Sequence, residues 1–109
     1  VVLNKIYTRT GDGGDTGLGD GTRVPKYSIR VNSYGSVDET NATVGMARLY
    51  SNGALDKKLA AIQNDLFDLG ADMCRPNIDK DASAEYPPLR MVQSQVDRLE
   101  LEIDEMNAN

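Results

Sequence analysis

The feature that most constrains the fold is an apolar side chain at every third or fourth position through much of the second half of the chain. One run comprises Leu55, Leu59, Ile62, Leu66, Leu69 and Met73, and another comprises Leu89, Val92, Val96, Leu99, Ile103 and Met106. Because an α-helix turns once in about 3.6 residues, each run forms one face of a helix. The runs predict two amphipathic helices, the first ended by Pro76 and the second entered through Pro87 and Pro88.

A further helix is predicted ahead of these two, from near Ser36 to about Ser51. Ser36 and Glu39 have capping-box spacing, so Glu39 is expected in the first turn, where it interacts with the helix dipole. An amphipathic helix needs a surface that covers its apolar face. The expected fold is therefore all-α, an up-down bundle of antiparallel helices in a single domain, residues 1–109. The polar segment 75–88 is expected to be a mobile loop.

The amino-terminal part of the chain has a different character. Residues 8–23, "TRTGDGGDTGLGDGTR", hold six glycines and three aspartates between two arginines. So much backbone freedom argues against a helix or a strand. The net charge of −5 divides into +2 for residues 1–30 and −7 for the rest. Glycine-rich backbone can turn successive N–H groups toward an anion, and nearby cations then neutralise a phosphate chain.

Composition leaves three interpretations of this glycine loop open. The loop binds the phosphates of a nucleotide, or it binds calcium through Asp12, Asp15 and Asp20, or it is a mobile surface loop. The excess of negative charge over the whole chain argues against nucleic-acid binding. No run of about 18 apolar residues is present, which argues against a membrane span. A single cysteine, Cys74, cannot form an internal disulfide, which favours a cytoplasmic location and a packing role for this side chain.

Three blocks of sequence occur in order between Lys5 and Gly45: "KIYTRTGDGGDTGL", "RVPK" and "RVNSYGSVDETNATVG". Together they resemble the amino-terminal signature of the PduO-type ATP:cob(I)alamin adenosyltransferases. The resemblance implies a homotrimer of five-helix bundles with active sites between subunits. Three of those helices fall within this chain, which is therefore expected to stop partway through the fold.

The resemblance also implies the reaction and its participants. The 5′-deoxyadenosyl group of ATP is transferred to reduced cobalt, with ATP and cobalamin as ligands. The aspartates of the loop would repel the phosphates, so either Mg²⁺ bridges the two or the carboxylates turn back to cap N–H groups of the loop. A cobalamin reductase and an adenosylcobalamin-dependent enzyme are implied as further partners. Cob(I)alamin is itself a strong nucleophile, so no general base is required, and the chain contains no histidine that could serve as one.

Individual residues receive roles from the same resemblance. The ATP-binding block comprises Thr8, Arg9, Thr10, Gly11, Asp12, Gly13, Gly14, Asp15 and Thr16, together with Lys26. Arg9 and Lys26 are expected to stabilise the leaving triphosphate, because charged donors form the strongest hydrogen bonds to phosphate. Asp38 is expected to pair with an arginine of a neighbouring subunit and so to position the substrate, with Asn41 beside it at the interface.

Polar residues also line one face of the first predicted helix. They are Asp38, Asn41, Gly45 and Arg48. This pattern is equally typical of a solvated face, and Arg48 is expected to be exposed. The alternatives to an enzyme are a non-catalytic nucleotide-binding or helical interaction module and a calcium-stabilised helical domain.

Overall fold

The computed structural model describes residues 4–108, most of which are helical. Its elements are β1 (Asp15–Gly17), β2 (Arg23–Pro25), α1 (Ile29–Arg48), α2 (Gly53–Met73) and α3 (Gln93–Asn107), with a 3₁₀-helix (Ile78–Ser83) between α2 and α3. The predicted helical class and the three long helices are confirmed, whereas the small sheet is an addition. No helix between residues 4 and 108 is long and apolar enough to cross a bilayer.

Helix α1 begins at Ile29, well ahead of the predicted start at Ser36. Its N-cap is Ser28, whose side chain accepts a hydrogen bond from a backbone N–H of the first turn. Ser36 and Glu39 lie inside the helix, so the capping box predicted for them is wrong. Both serines are good N-caps taken alone. The Ser28 N–H donates to the Pro25 carbonyl at 2.9 Å, and this turn brings the extended backbone of Ser28 to the helix start.

Helix α2 matches its predicted span and runs antiparallel to α1. Near their connection, Arg48 Nε and Nη2 donate to the Asp56 carboxylate at 2.8 and 3.1 Å. At the opposite end, Arg30 Nη1 donates to the Met73 carbonyl at 2.7 Å. Arg48 is therefore half-buried and paired with a carboxylate of the next helix, where an exposed side chain was expected. The hydrogen bond from Arg48 holds the pKa of Asp56 below its ordinary value.

Helix α3 starts later than its apolar spacing predicts. Leu89 and Val92 continue the spacing but precede the first helical residue, Gln93. The Gln95 side chain accepts a hydrogen bond from the Val92 N–H at 3.0 Å and so caps the first turn. Apolar periodicity therefore extends beyond the helix itself.

Polar side chains join α3 to α2 along its length. Lys58 Nζ lies 2.9 Å from a carboxylate oxygen of Glu105, and Arg98 pairs with Asp65. The order of these contacts makes α3 antiparallel to α2.

The segment expected to be a mobile loop is instead attached to its surroundings. Arg90 donates through Nε and Nη2 to both carboxylate oxygens of Asp81, at 2.7 and 3.0 Å. Asp81 belongs to the 3₁₀-helix, so this bidentate pair ties the segment to the entrance of α3. Hydrogen bonding from Arg90 also lowers the pKa of the Asp81 carboxyl.

The apolar faces of the helices are only partly covered within the single chain. Among residues 4–108 no apolar side chain is buried, and the one buried side chain is that of Asn41, which is 4% exposed. Several positions of the two predicted stripes remain open: Leu55, Leu89, Val92, Val96, Ile103 and Met106. Because a large exposed apolar surface marks an interaction site, we expect a further surface to cover these helix faces.

The glycine-rich segment folds into a β-hairpin, so the prediction that it contains no strand is wrong. β1 and β2 pair antiparallel, with Thr16 opposite Val24. Both residues are β-branched and favour extended pairing. Gly14 (φ 95°) and Gly21 (φ 87°) take left-handed backbone conformations outside the two strands. The glycines that need special backbone geometry therefore shape the turns and leave the strands intact.

Candidate functional site

The base of the hairpin is a compact series of turns. The Asp12 N–H donates to the Arg9 carbonyl at 3.3 Å, and the Gly14 N–H donates to the Gly11 carbonyl at 3.1 Å. The Lys26 N–H closes the base by donating to the Gly14 carbonyl at 2.8 Å. Arg9 has a positive φ of 60°, which is uncommon for a residue with a side chain. The predicted ATP-binding block and Lys26 are thus brought together.

The Lys26 side chain crosses this base directly over Gly11. A Cβ placed on Gly11 would lie 3.0 Å from both Cε and Nζ of Lys26. The absence of a side chain at Gly11 therefore creates the room that the ammonium group occupies. Lys26 forms no salt bridge with any carboxylate among residues 4–108, so its charge is available to an anionic ligand.

The two arginines at the ends of the glycine segment have different surroundings. Arg23 Nη2 donates to the Thr10 carbonyl at 2.9 Å and to the Asp15 carbonyl at 3.1 Å, so it cross-links the hairpin internally. The Arg9 guanidinium lies 5.1 Å from the centre of the Tyr7 ring, a cation–π distance. Sequence reasoning missed the structural role of Arg23, because the carbonyls that it binds become neighbours only when the hairpin forms.

The three aspartates of the hairpin do not gather into a metal site. Asp20 accepts a hydrogen bond from the Thr22 N–H at 3.0 Å, and this bond lowers the pKa of the Asp20 carboxyl. Asp12 and Asp15 are exposed. No group of three metal-ligating side chains converges anywhere in residues 4–108. The side chains of residues 4–108 therefore do not form a magnesium or calcium site by themselves.

A second feature lies on α1, where Asp38 and Asn41 face α2. Asn41 Nδ2 donates to the Gln63 carbonyl at 3.3 Å, and Gln63 Nε2 donates to the Asn41 carbonyl at 3.1 Å. Asn41 Oδ1 is buried and has no donor within residues 4–108. The solvated-face alternative is therefore wrong for Asn41, which is locked against α2, whereas Asp38 is exposed.

Asp38 and Asn41 also line a groove between α1 and α2. The groove has a volume of about 410 Å³ and is mostly apolar, with Tyr34, Leu66 and Phe67 among its walls. Phe67 is 66% exposed at its edge. No hydrogen bond or ion pair joins Asp38 to the hairpin in the described chain, so the structure presents two separate candidate areas.

The sequence matches proteins of one family over nearly its whole length. Residues 6–109 match the family model described as cobalamin adenosyltransferase. The chain is 48% identical over 111 residues to a corrinoid adenosyltransferase of Mycobacterium leprae (strain TN), covering 98% of this chain and 57% of that protein. It is 36% identical over 107 residues to a corrinoid adenosyltransferase of Bacillus subtilis (strain 168), covering 94% of this chain and 55% of that protein.

The fold is also similar to solved structures. One is a variant of the PduO-type ATP:corrinoid adenosyltransferase from Lactobacillus reuteri complexed with cobalamin and ATP, with a TM-score of 0.76 and 36% identity over 93% of this chain and 55% of that chain. Another variant from the same organism, complexed with ATP, gives a TM-score of 0.78 and 36% identity over 95% of this chain and 58% of that one.

These similarities cover both candidate areas, the hairpin and the α1–α2 groove. The chain belongs to the cobalamin adenosyltransferase family, as its motifs predicted. It spans just over half the length of the curated relatives described above.

Proposed function

We propose that this chain provides the ATP-binding part of a corrinoid adenosyltransferase. The enzyme transfers the 5′-deoxyadenosyl group of ATP to the cobalt of cob(I)alamin, giving adenosylcobalamin and triphosphate. The single observation that carries the proposal is the Lys26 ammonium, held over Gly11 at the base of the hairpin and free of any carboxylate among residues 4–108. Family membership and neighbours complexed with ATP and cobalamin support this reaction.

The chemistry of the reaction determines which tasks fall to cobalt and which fall to the protein. Cobalt(I) supplies the electron pair that forms the cobalt–carbon bond, and the bond from the 5′-carbon to the triphosphate oxygen breaks. The protein must therefore hold the 5′-carbon in line and stabilise the charge on the departing triphosphate. Arg9 and Lys26 perform this task, with the N–H groups and hydroxyls of residues 8–16 lining the phosphate chain. Mg²⁺ would be brought by the nucleotide and would offset part of the triphosphate charge, since the side chains of residues 4–108 form no site of their own for it.

The second candidate area, the α1–α2 groove, forms part of the contact between subunits. Asp38 lies at a subunit interface of a homotrimer of five-helix, up-down bundles, where it receives an arginine of the neighbouring subunit. The open apolar faces of the helices support this arrangement, because they need a partner surface. Asn41 itself is buried against α2, so it supports the Asp38 surface from within the chain and does not meet the neighbouring subunit directly. The enzyme acts in the cytoplasm and exchanges cobalamin with a reductase and with an adenosylcobalamin-dependent enzyme.

The test is the substrate dependence of the native polypeptide under anaerobic conditions, with cob(I)alamin generated chemically. Lys26→Ala should lower kcat/KM for ATP by about tenfold to a hundredfold, since a hydrogen bond between charged groups contributes about 1.5–3 kcal/mol. The KM for cobalamin should stay near that of the parent. Lys57→Ala is the matched control, because it removes an exposed lysine of α2 that forms no salt bridge in the described chain.

Two outcomes would contradict the proposal. Lys26→Ala with parental ATP dependence would remove this residue from the site. ATP binding by the parent without any cobalt–carbon product would favour a non-catalytic nucleotide-binding module.

A further inference from the structure

We propose that the carboxyl-terminal end of α2 is the platform that fixes the position of the hairpin, with Gly19 and Arg90 as positioning residues. The inference rests on the proposed function, in which the hairpin binds ATP. The platform is defined here as residues 72–75, the last two residues of α2 and the two residues that follow it.

The platform connects separate parts of the chain through its carbonyl groups. The last carbonyls of an α-helix lack partners within the helix, and α2 has no basic residue in its last turn. The Met73 carbonyl is taken by α1, as described above. The Cys74 carbonyl accepts a hydrogen bond from the Gly19 N–H at 2.7 Å, and the Arg75 carbonyl accepts one from Arg90 Nη1 at 2.8 Å. The start of α1, the hairpin and the segment before α3 all meet here.

Gly19 is held to the platform through both its backbone N–H and its backbone carbonyl. Its N–H donates to Cys74, and its carbonyl accepts a hydrogen bond from Arg75 Nη1 at 3.3 Å. A Cβ on Gly19 would lie 3.1 Å from Arg75 Cβ, 3.2 Å from Cys74 Sγ and 3.3 Å from the Cys74 carbonyl oxygen. One of these atoms belongs to the backbone of the platform and cannot rotate away. A side chain at Gly19 must therefore shift the hairpin or the end of α2 by a few tenths of an ångström.

The hairpin transmits this anchorage to the ATP-binding base. The Leu18 N–H donates to the Thr22 carbonyl at 2.8 Å, which closes the turn around Gly19. The β1–β2 ladder continues from this turn, and the Lys26 N–H closes its far end on the Gly14 carbonyl. Gly19 and Lys26 are thus joined by one continuous hydrogen-bonded ribbon. Displacement at Gly19 moves the lysine that faces the phosphates.

Arg90 fixes the shape of the platform itself. Its Nη1 donates to the Asp72 carbonyl at 3.0 Å, to the Asp72 carboxylate at 2.8 Å and to the Arg75 carbonyl. Its other two nitrogens hold Asp81 in the bidentate pair described above. Only the planar fork of arginine can reach acceptors in these two directions, so a lysine ammonium cannot replace it. Within residues 4–108, Arg90 forms no hydrogen bond with the hairpin, so it acts on the site through residues 72–75.

The experiment uses the native polypeptide and compares Gly19→Ala with Gly17→Ala. A Cβ at Gly17 meets only Arg23 Nη1, at 3.7 Å, an ordinary contact, so this variant is the matched control. Hydrogen exchange of the residue 19 amide, measured without nucleotide, should accelerate at least about tenfold in Gly19→Ala and stay parental in Gly17→Ala. The KM for ATP should rise severalfold in Gly19→Ala, because the shift is a few tenths of an ångström and a misplacement of about 1 Å costs about a hundredfold. The KM for cobalamin should not change.

Arg90→Gln and Arg90→Lys provide the second comparison. Both variants should raise the KM for ATP, with circular dichroism showing that the helices persist. Rescue by Arg90→Lys would overturn the positioning role, since it would show that charge alone suffices. Parental exchange and a parental KM for ATP in Gly19→Ala would overturn the platform. If the parent itself does not use ATP, the proposed function fails, whereas the exchange comparison, made without nucleotide, still decides whether residues 72–75 hold the hairpin.

Discussion

Replacing Gly11 with alanine tests how the hairpin positions its cation. The new Cβ would stand 3.0 Å from Cε and Nζ of Lys26 and 3.3 Å from the Asp15 carbonyl oxygen. Ordinary contacts between such atoms are about 3.5–4.0 Å, so the ammonium must move by roughly 0.5–1 Å. The flexible end of a lysine side chain can move this far at little cost, so the fold should persist.

The effect on ATP is larger, because hydrogen bonds between charged groups depend on short distances. Such bonds measure about 2.7–2.9 Å and contribute about 1.5–3 kcal/mol. Losing most of one contact should raise the KM for ATP about tenfold and at most about 150-fold, at about 1.4 kcal/mol for each factor of ten. Isothermal calorimetry with magnesium-ATP and steady-state kinetics of the native polypeptide measure this change. Gly17→Ala again serves as the control.

A double-mutant cycle shows whether the effect passes through Lys26. If the alanine at position 11 acts by moving the ammonium, Gly11→Ala should cause no further loss in a Lys26→Ala background. Fully additive losses would refute this reasoning, as would parental ATP affinity in Gly11→Ala alone.

Three further outcomes are expected. Asp38→Asn should keep the helical content of the parent but lose adenosyl transfer, and a variant that turned over at the parental rate would leave Asp38 on a solvated face. In the folded protein, the hydrogen bond from Arg48 lowers the pKa of Asp56. The pair therefore stabilises the protein fully above the ordinary carboxyl pKa of about 3.9, and this stabilisation is lost as the pH falls through the lowered pKa of the folded state. Urea midpoints of the parent and of Asp56→Asn should differ at pH 7 and begin to converge below about pH 4, whereas a constant difference would contradict the pairing. Gly14→Ala places a side chain at a φ of 95° and should cost about 1–2 kcal/mol, seen as faster exchange of the Lys26 amide; unchanged exchange would show that the turn tolerates a side chain.

The sequence predicts best those parts of the fold in which many residues repeat one signal. Helix α2 carries its apolar period through every turn, and its predicted span is correct. The predicted start of α1 depended on a single N-cap residue, and Ser28 and Ser36 have the same N-capping preference. Only the turn from Pro25, a contact outside the helix, distinguishes them.

The hairpin and the platform were not predicted, for a reason different from that for the start of α1. A glycine-rich stretch carries no alternating pattern, so the pairing of Thr16 with Val24 is visible only in three dimensions. Arg90 was indistinguishable from a surface arginine, since its partners Asp72 and Asp81 lie 18 and 9 residues away in the sequence. The prediction of an ATP-binding block came from a resemblance of motifs, whereas the position of Lys26 over Gly11 required the structure.

The proposed enzyme joins the 5′-carbon of ATP to cobalt and releases triphosphate intact. The most direct measurement is the stoichiometry of a single turnover by the native polypeptide with cob(I)alamin and magnesium-ATP. Adenosylcobalamin is followed by its absorption spectrum, and triphosphate is quantified by ion chromatography. Equal amounts of the two products are expected, formed much more slowly by Lys26→Ala at limiting ATP. Consumption of ATP to ADP and phosphate without a cobalt–carbon bond would refute the proposed reaction.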